Sequence, residues 1–322
     1  MRFYGLDLNL LVVLDALLVE QNITRAGERL FLSQPATSAA LGRLREYFQD
    51  ELLVQKGRKM VRTPQGEALS QPIRDLLIQM RSTLENRSQF DPAQAQRKFV
   101  LMASDYVSTV LLPQVSRRLN ELAPQASLEV IPPNDIPRDM IERGHIDLLV
   151  LPASHLAEGH PSQPLFEDKF VCMTCRDHPE IDASLSFEQY KQLGHVLARW
   201  GAHRVPSVDE WFLNRYNFER RVEVITNTFS KMPAFLPGTR RLATLHLRLA
   251  LLCAQELPLK ILTLPWDAPQ LVMAMQWNRH QQHDPGLSWL RSLLAESAAA
   301  MPPLPDSASL QASIKQMLRM QN

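Results

Sequence analysis

Apolar residues near the start of the chain recur at three- and four-residue steps, which is the spacing of an amphipathic helix. The helix predicted from this spacing covers Leu6–Glu20. Its apolar stripe consists of Leu10, Leu11, Leu14, Leu17 and Leu18. A helix with one apolar face needs partners to pack against, so we expect it to support the helical segment that follows.

That next segment, Asn22–Phe48, predicts two short helices with a tight break between them. The first predicted helix covers Thr24–Phe31, in which Ala26, Leu30 and Phe31 lie at helical spacing. The pattern is interrupted directly after Phe31, so the chain is expected to turn there.

The second predicted helix has a defined start and two different faces. Ser33 can cap its first turn through the hydroxyl, and Pro35 lies where a missing N–H costs nothing. Apolar residues recur along one side at Leu41, Leu44 and Phe48. The other side carries short or polar side chains, namely Gln34, Ser38, Gly42 and Arg45. A helix of this kind beyond a tight turn is what a helix-turn-helix needs in order to enter a major groove of DNA.

A basic turn between two short apolar runs follows and predicts a β-hairpin. Its positive charges are Lys56, Arg58, Lys59 and Arg62, with no acidic residue between them. Such a charge run is most often a solvated turn. Directly after a helix-turn-helix, however, it is typical of the wing of a winged fold, which contacts phosphates or the minor groove.

A long helix is predicted from Thr63, its cap, and Pro64, at the first helical position, to about Arg87. Pro72 lies inside this helix and is expected to kink it or to remove one hydrogen bond. The one-sided apolar pattern favours a helical dimerisation surface. Packing of the helix on its own domain is the alternative.

From Arg97 onward, strands and helices alternate, which predicts an α/β domain with a parallel sheet covered on both faces. The predicted strands are Lys98–Ala103, Ser127–Ile131, Asp147–Leu151, Lys169–Thr174, His195–Arg199, Arg221–Ile225, Arg241–Leu245, Lys260–Leu264 and Gln270–Trp277. The predicted helices are Val107–Leu122, Asp135–Arg143, Phe187–Gln192, Ser207–Tyr216, Thr228–Leu236, Leu247–Gln255, Asp284–Ala298 and Ser309–Met320. Two subdomains of this kind would bracket a cleft, with ligands at the carboxyl ends of strands. The whole chain is thus predicted to be α+β.

Length, composition and charge allow a multidomain globular protein. The 322 residues suffice for two or three domains, and the net charge of +1 gives no overall basic field, so DNA binding would need a local patch. The sequence shows no apolar run of membrane-spanning length, and Asp7 and Asp15 argue against a secretory signal. Three cysteines cannot form a disulfide framework. These features favour a cytoplasmic protein that is not embedded in a membrane.

The motifs that would mark an enzyme, a cofactor site or a metal site are missing or weak. No nucleophile motif, phosphate-binding loop or Gly-rich dinucleotide turn is present, so no catalytic residue and no cofactor is predicted. Cys172 and Cys175 have the spacing of a thiol pair, but they fall in a strand pattern that points them to opposite faces, which favours structural cysteines. His280 and His283 near Asp284 are better explained as loop residues beside a helix cap than as metal ligands.

Two runs of residues carry a family resemblance. S-Q-P-A-T-S-A-A-L-G-R-L-R at Ser33–Arg45 and K-G-R-K-M-V-R-T-P-Q-G at Lys56–Gly66, with the helix that follows, resemble the LysR-type transcriptional regulators. The opening D-L-N-L-L and the run that begins W-N-R-H at Trp277 look like the branch of nodulation and aromatic-catabolism regulators. Arg45 stands where most of the wider family has an acidic residue, and Thr37 where an apolar residue is common.

The resemblance implies a domain plan: a winged helix-turn-helix DNA-binding domain at 6–63, with its helix-turn-helix at about 23–42, and a linker and dimerisation helix at 64–88. A periplasmic-binding-protein-like effector domain spans 97–300. Its subdomain I comprises 97–165 and 268–300, and its subdomain II comprises 166–267. A tail covers 301–322.

For DNA, the predicted contacts follow from side-chain chemistry. Gln34 and Ser38 can hydrogen-bond base edges, and Pro35 can contact a thymine methyl group. Arg43 and Arg45 lie one turn further along and would bind phosphates, although Arg could also recognise guanine. In the wing, the residues predicted to bind phosphates or a narrow minor groove are Arg58 and Arg62.

For the effector, the resemblance places contacts at the ends of three strands. The candidates are Ser104, Asp105 and Tyr106, then Pro152, Ala153 and Ser154, and then Thr226, Asn227, Thr228 and Phe229. Asp105 would oppose an anion unless it caps its helix. A further strand is followed by Arg199, Trp200 and His203, which suit a small aromatic acid if they are not simply surface residues. The predicted effector is a small aromatic or carboxylate molecule.

The resemblance also implies partners and assembly. They are promoter DNA, a small-molecule effector, RNA polymerase and further copies of the chain, in a homotetramer that is a dimer of dimers and bends DNA. An architectural DNA-binding protein or repressor without an effector is the alternative. An enzyme or a transport-type binding protein is a third class.

Overall fold

The structure is a computed structural model that describes residues 2–3, 6–57, 59–85, 90–133, 137–199, 213, 218 and 220–305. The predicted helices Ser207–Tyr216 and Ser309–Met320 lie outside these residues, apart from Leu213. The chain forms two compact units, 1–88 and 89–322, which are described in turn.

The first unit is a helical cluster with a small hairpin. Its elements are β1 (Arg2–Phe3), β2 (Leu6–Asp7), α1 (Asn9–Glu20), α2 (Ile23–Arg29), α3 (Gln34–Phe48), β3 (Leu53–Lys56), β4 (Lys59–Arg62) and α4 (Pro64–Glu85). The leucine stripe of α1 is buried as predicted, with Leu14 and Leu17 fully inaccessible. Because α2, α3 and α4 all contact α1, this helix forms the centre of the unit.

Side-chain caps set the starts of α2 and α3. Asn22 accepts a hydrogen bond from the backbone N–H of Arg25, and Ser33 accepts one from the backbone N–H of Ala36, which confirms the predicted Ser33 cap. The end of α2 differs from the prediction. The helix stops at Arg29, and Phe31 has a left-handed backbone with φ of 56° and an exposed fraction of 98%. Phe31 is therefore a turn residue rather than part of the buried stripe.

The chain between α3 and α4 is held by one carboxylate. Asp50 accepts hydrogen bonds from the Leu52 N–H and from the Thr63 hydroxyl, each at 2.6 Å. Thr63 in turn caps α4 by accepting from the Gly66 N–H at 2.9 Å, as predicted. A Cβ on Gly66 would come within 2.3 Å of the Leu52 carbonyl oxygen, so only glycine fits where α4 begins.

The long helix α4 packs on α1 within this unit. Ile73 is buried in the same core as α1, and Arg74 forms an ion pair with Asp15 at 3.2 Å that is almost completely shielded from solvent. The helix is continuous through Pro72, which is exposed. Leu76 and Leu84 remain exposed, by 42% and 81%. The helix therefore packs on its own unit and also leaves apolar side chains uncovered.

The second unit contains two five-stranded sheets. Its strands are β5 (Lys98–Ala103), β6 (Ser127–Ile131), β7 (Leu148–Pro152), β8 (Ser162–Asp168), β9 (Phe170–Cys175), β10 (His195–Ala198), β11 (Val222–Thr226), β12 (Leu242–His246), β13 (Leu259–Leu262) and β14 (Leu271–Gln276). Its described helices are α5 (Asp105–Val110), α6 (Leu112–Leu122), α7 (Pro137–Glu142), α8 (Phe187–Gln192), α9 (Leu247–Glu256) and α10 (Pro285–Ala299).

The two sheets have similar mixed topologies. One has the order β6-β5-β7-β14-β8 and the other β11-β10-β12-β9-β13. In the first, β5, β6 and β7 are parallel, whereas β14 pairs antiparallel with β7 and β8. In the second, β10 is parallel to β11 and β12, whereas β9 is antiparallel to β12 and β13. The chain crosses from the first sheet to the second at Lys169 and returns between β13 and β14.

The structure departs from the predicted elements of this unit in several places. The sheets are mixed rather than wholly parallel, and the strand β8 has no counterpart in the prediction. The predicted helix Val107–Leu122 is divided at Leu111, because Pro113 at the start of α6 has no N–H to continue α5. The predicted helix Thr228–Leu236 contains only a short 3-10 turn at Met232–Phe235. Within the described part of the chain, no helix has both the length and the apolar composition needed to cross a bilayer.

Candidate DNA-binding surface and effector cleft

The surface of α3 that was predicted to face DNA is open to solvent. Gln34, Pro35, Ser38 and Arg43 are all exposed at or after the N-terminus of this helix. The opposite side of the helix is buried through Ala40, Leu41 and Leu44. These four side chains are therefore free to meet a ligand that approaches α3.

Two other arginines predicted to contact DNA are held within the protein. Arg45 donates from Nε to the Glu51 carbonyl oxygen at 2.9 Å and from Nη2 to the Leu53 carbonyl oxygen at 2.8 Å. Arg62 donates from Nε to the Leu18 carbonyl oxygen at 2.7 Å and from Nη1 to Glu67 at 2.9 Å. Both guanidinium groups stabilise the junctions around the hairpin, a role that the charge pattern alone did not reveal.

The hairpin β3–β4 supplies the basic wing. Lys56 and Lys59 are exposed on either side of its turn, and Gly57 adopts a left-handed conformation with φ of 65°. Arg58 lies outside the described residues. The wing therefore presents positive charge to solvent through Lys56 and Lys59, although Arg62 is bonded within the protein.

The residues predicted after β5 meet those predicted after β11. Ser104 caps α5 by accepting from the Val107 N–H, so Asp105 is not the cap. The Asp105 carboxylate instead accepts hydrogen bonds from the backbone N–H groups of Phe229 at 3.1 Å and Ser230 at 2.7 Å. One predicted effector residue is thus bonded to the backbone of another, across the two sheets of the unit.

The segment after β11 is partly buried. The Thr226 carbonyl accepts from the Arg199 N–H at 2.9 Å, which places Arg199 beside it, and Asn227 is exposed. The Thr228 hydroxyl is buried and meets no hydrogen-bond partner among the described residues. Phe229 is buried with its ring 4.6 Å from that of His246.

Tyr106 lies in the core rather than on a cleft surface, which differs from the expectation that it contacts the effector. Only 1% of it is exposed, its hydroxyl donates to the Asp168 carboxylate, and its ring stacks on His246 at 3.8 Å. Asp168 also accepts from the backbone N–H groups of Lys169 at 2.7 Å and Arg248 at 3.3 Å. Burial raises the pKa values of both Tyr106 and Asp168.

The Asp168 and His246 side chains were missed at the sequence level, although they lie beside the predicted residues. Asp168 ends β8, a strand that was not predicted, and His246 ends a strand recognised only by its apolar character. Their meeting depends on the crossing of the chain between the two sheets, so no local signal could have identified them.

The predicted positions after β7 lie at the same edge of the sheet as those after β5, because the two strands are parallel neighbours and Ala103 pairs with Val150. Pro152 ends β7, and Ala153 and Ser154 form an exposed turn in which the Ser154 hydroxyl lies 3.0 Å from His155 Nδ1. Trp200 and His203 lie outside the described residues.

The cysteines and histidines noted in the sequence form no evident chemical site. Cys172 is fully buried, and this burial raises the pKa of its thiol to about 12. Cys175 is also buried, and its sulfur accepts from the Gly238 N–H at 3.3 Å. Nowhere in the described ranges do three His, Cys, Asp or Glu side chains come together as a metal site requires.

A winged helix-turn-helix in one unit and a pair of linked α/β sheets in the other define a class of protein: a DNA-binding regulator with an effector-binding domain. Family models agree with this architecture. Residues 8–67 match the bacterial regulatory helix-turn-helix protein of the lysR family, and residues 92–299 match the LysR substrate binding domain. The chain belongs to the LysR family of transcription regulators, and it is therefore a DNA-binding protein and not an enzyme. The predicted fold class is confirmed.

Similar proteins cover almost the whole chain. Nodulation protein D from Bradyrhizobium sp. (strain ANU 289) is 40% identical over 95% of this chain and 93% of its own length. Nodulation protein D 2 from Rhizobium tropici is 42% identical, over 94% of this chain and 96% of its own. The resemblance to the nodulation-regulator branch is thus confirmed.

Solved structures show the same arrangement of elements. A probable transcriptional regulator from Pseudomonas aeruginosa has a TM-score of 0.62 and 30% identity, covering 91% of this chain and 97% of its own. A full-length OxyR from Pseudomonas aeruginosa has a TM-score of 0.65 over 92% of this chain and 95% of its own. Its identity of 19% supports the fold alone.

Proposed function

We propose that this LysR-family protein is a ligand-responsive regulator that binds promoter DNA as a homo-oligomer in the cytoplasm. The observation that carries the DNA-binding mode is the exposed set on α3, since its start presents Gln34, Pro35 and Ser38 without internal partners in the described chain. An amide, an apolar ring and a hydroxyl at one end of a helix suit contacts with base edges and thymine methyl groups. Arg43 and the wing lysines would add contacts with phosphates.

Assembly through α4 is the second part of this proposal. One helix-turn-helix contacts few base pairs, so a second copy would be needed for a specific site. Exposed Leu76 and Leu84 give α4 an apolar surface on which a second copy could pack. By analogy with the family, we further propose that two such dimers form a tetramer that bends DNA and contacts RNA polymerase.

The DNA-binding mode can be tested by footprinting and by affinity measurements at several salt concentrations on the region upstream of the gene. Gln34→Ala and Ser38→Ala should each weaken binding to the specific site by about fivefold or more, as expected for the loss of about 1–3 kcal/mol of base contact. Gln163→Ala removes another exposed glutamine, in the second unit, and should leave affinity unchanged. Unchanged site preference in both α3 variants would reject this mode.

Assembly can be tested separately by light scattering. Leu76→Glu should reduce the oligomer because it places a charge in an apolar contact. Gln79→Glu puts the same charge on an exposed position of the same helix and serves as the control. If the oligomer were unaffected by Leu76→Glu and Leu84→Glu, α4 would not be the contact surface.

A further inference from the structure

Asp105 and the segment after β11 meet from opposite sheets of the second unit. Asp105 follows the carboxyl end of β5, and Phe229 and Ser230 follow the carboxyl end of β11. Both ends belong to parallel strand pairs, the position at which open α/β sheets bind ligands. The contact between them therefore occupies the part of the unit where a ligand is expected.

The chemistry of this contact is that of an anion in a backbone site. Two consecutive backbone N–H groups, from Phe229 and Ser230, donate to the two oxygens of one carboxylate, at 3.1 and 2.7 Å. Successive backbone N–H groups that converge in this way form an anion-binding concavity, and hydrogen bonds to a charged acceptor are stronger than neutral ones. The anion in this site is supplied by the protein itself.

A further donor precedes the two amides in the chain. The Thr228 hydroxyl is buried and lacks a hydrogen-bond partner within the described part of the chain. A buried hydroxyl without a partner is costly, and such groups often mark a site that a ligand completes. The hydroxyl does not donate to the Asp105 carboxylate, so it is a donor that this anion leaves unused.

We propose that residues 228–230 form a carboxylate-binding site that Asp105 occupies, so that Asp105 determines effector selectivity by excluding small carboxylates. This proposal rests on the proposed function, because it concerns the ligand of the same cleft. A free carboxylate would have to displace Asp105 from the amides or lie beside it, and like charges at short distance repel. The expectation of an aromatic or carboxylate effector thus narrows to a molecule that places no carboxylate at this position.

The test uses benzoate and its uncharged analogue benzamide as probes, with binding to the full chain measured by calorimetry and thermal shift at constant ionic strength. We expect Asp105→Ala to bind benzoate at least tenfold more tightly than the unaltered protein. The affinities of the two proteins for benzamide should differ by less than twofold. Asp267→Ala, which removes an exposed aspartate between β13 and β14, should behave as the unaltered protein does.

Several results would overturn the proposal. Equal benzoate affinity in the unaltered protein and Asp105→Ala would show that Asp105 excludes nothing, and no benzoate binding by either would show that the amides form no anion site. Asp105→Asn, which keeps one acceptor oxygen and loses the charge, provides a second variant if Asp105→Ala does not fold. If neither variant folded, Asp105 would be a structural link only, and the selectivity role would be rejected. Because these measurements contain no DNA, they fail or succeed independently of the DNA-binding experiments above.

Discussion

Gly27 lies against Thr37 where α2 and α3 of the helix-turn-helix approach each other. A Cβ on Gly27 would come within 2.8 Å of the Thr37 hydroxyl oxygen and 2.9 Å of the Leu32 carbonyl oxygen. Thr37 is fully buried, and its hydroxyl donates to the Ser33 carbonyl at 3.1 Å. The buried Thr37 hydroxyl therefore has its hydrogen-bond partner at the start of α3, and the close approach of Thr37 and Leu32 leaves room only for glycine at position 27.

Gly27→Ala is accordingly expected to destabilise the first unit by about 1–3 kcal/mol, because backbone atoms would have to move to admit the methyl group. Hydrogen exchange of peptides from α2 and α3 would report the loss of protection. Gly42→Ala is the matched control, since a Cβ there meets nothing within 4 Å and alanine favours a helix interior. Greater protection or no change in Gly27→Ala would contradict the prediction, because it would mean that α2 and α3 accommodate the methyl group at no cost in stability.

Phe31 differs from Gly27 because its backbone is strained and its side chain is almost fully exposed to solvent. Its backbone is left-handed and its side chain is 98% exposed. Phe31→Gly should stabilise the first unit by about 1 kcal/mol by removing the Cβ clash of this conformation. Phe31→Ala keeps the Cβ and should change stability little. If both variants gave the same stability in urea unfolding followed by circular dichroism, backbone strain would not be the cause.

These two positions show how far the sequence could predict the helix-turn-helix. Ser33 and Pro35 fix the start of α3 through local rules, so that boundary was predictable. The end of α2 was not, because helical spacing continued to Phe31 while the Gly27 carbonyl accepts the N–H groups of both Leu30 and Leu32 and closes the turn earlier. Strong local signals predicted the elements, whereas a backbone turn that side-chain spacing does not reveal decided where α2 ends.

The same limit applies more strongly to the effector unit. The strand ends were predicted, and Asp105 was recognised as a candidate, but its partner Phe229 is 124 positions away in the chain. Alternation of strands and helices indicates that two sheets exist. It does not indicate which side chain of one sheet reaches which backbone group of the other.

Arg43 and Arg45 lie on the same helix but should respond differently to substitution. Arg43 is exposed, so Arg43→Ala should weaken DNA binding and reduce the slope of log affinity against log salt by about 1 without a change in stability. Arg45→Ala removes two charged hydrogen bonds to backbone carbonyls and should destabilise the first unit by about 1–3 kcal/mol. Affinity at four salt concentrations, with hydrogen exchange of the hairpin, separates the two effects. A reduced salt slope with unchanged stability in Arg45→Ala would instead identify it as a phosphate contact.

The three thiols should differ in reactivity. Cys172 and Cys175 are buried, and the pKa of about 12 for Cys172 leaves almost no thiolate at neutral pH, whereas Cys253 is partly exposed. Iodoacetamide at pH 8 should therefore label Cys253 first, as measured by peptide mass spectrometry, and label all three only after unfolding in urea. Equal native labelling of Cys172 and Cys253 would contradict the structural role assigned to Cys172.

The buried carboxylate of Asp168 should give the second unit a distinctive pH dependence. Burial raises its pKa above the ordinary aspartate value of about 4, although the hydrogen bond from Tyr106 opposes this change. The folded chain therefore holds a proton that the unfolded chain releases more readily. The contribution of the protonated Asp168 carboxyl group to stability is fully present below about pH 4. This contribution is lost as the pH rises through the pKa that Asp168 has in the folded chain. Each tenfold difference in proton affinity between the folded and unfolded chains corresponds to about 1.4 kcal/mol.

The asparagine in Asp168→Asn cannot ionise, so this variant should lack the pH-dependent contribution of Asp168 to stability. Between about pH 4 and pH 7, the free energy of unfolding of the variant should therefore fall less than that of the unaltered protein. Urea unfolding followed by tryptophan fluorescence reports on the correct unit, because all five tryptophans lie within 89–322. Asp267→Asn, at an exposed aspartate between β13 and β14, provides the control for a general change in charge. Parallel pH profiles for Asp168→Asn and the unaltered protein would show that the Asp168 carboxylate remains charged in the core, held by the backbone N–H groups of Lys169 and Arg248 rather than neutralised by a proton.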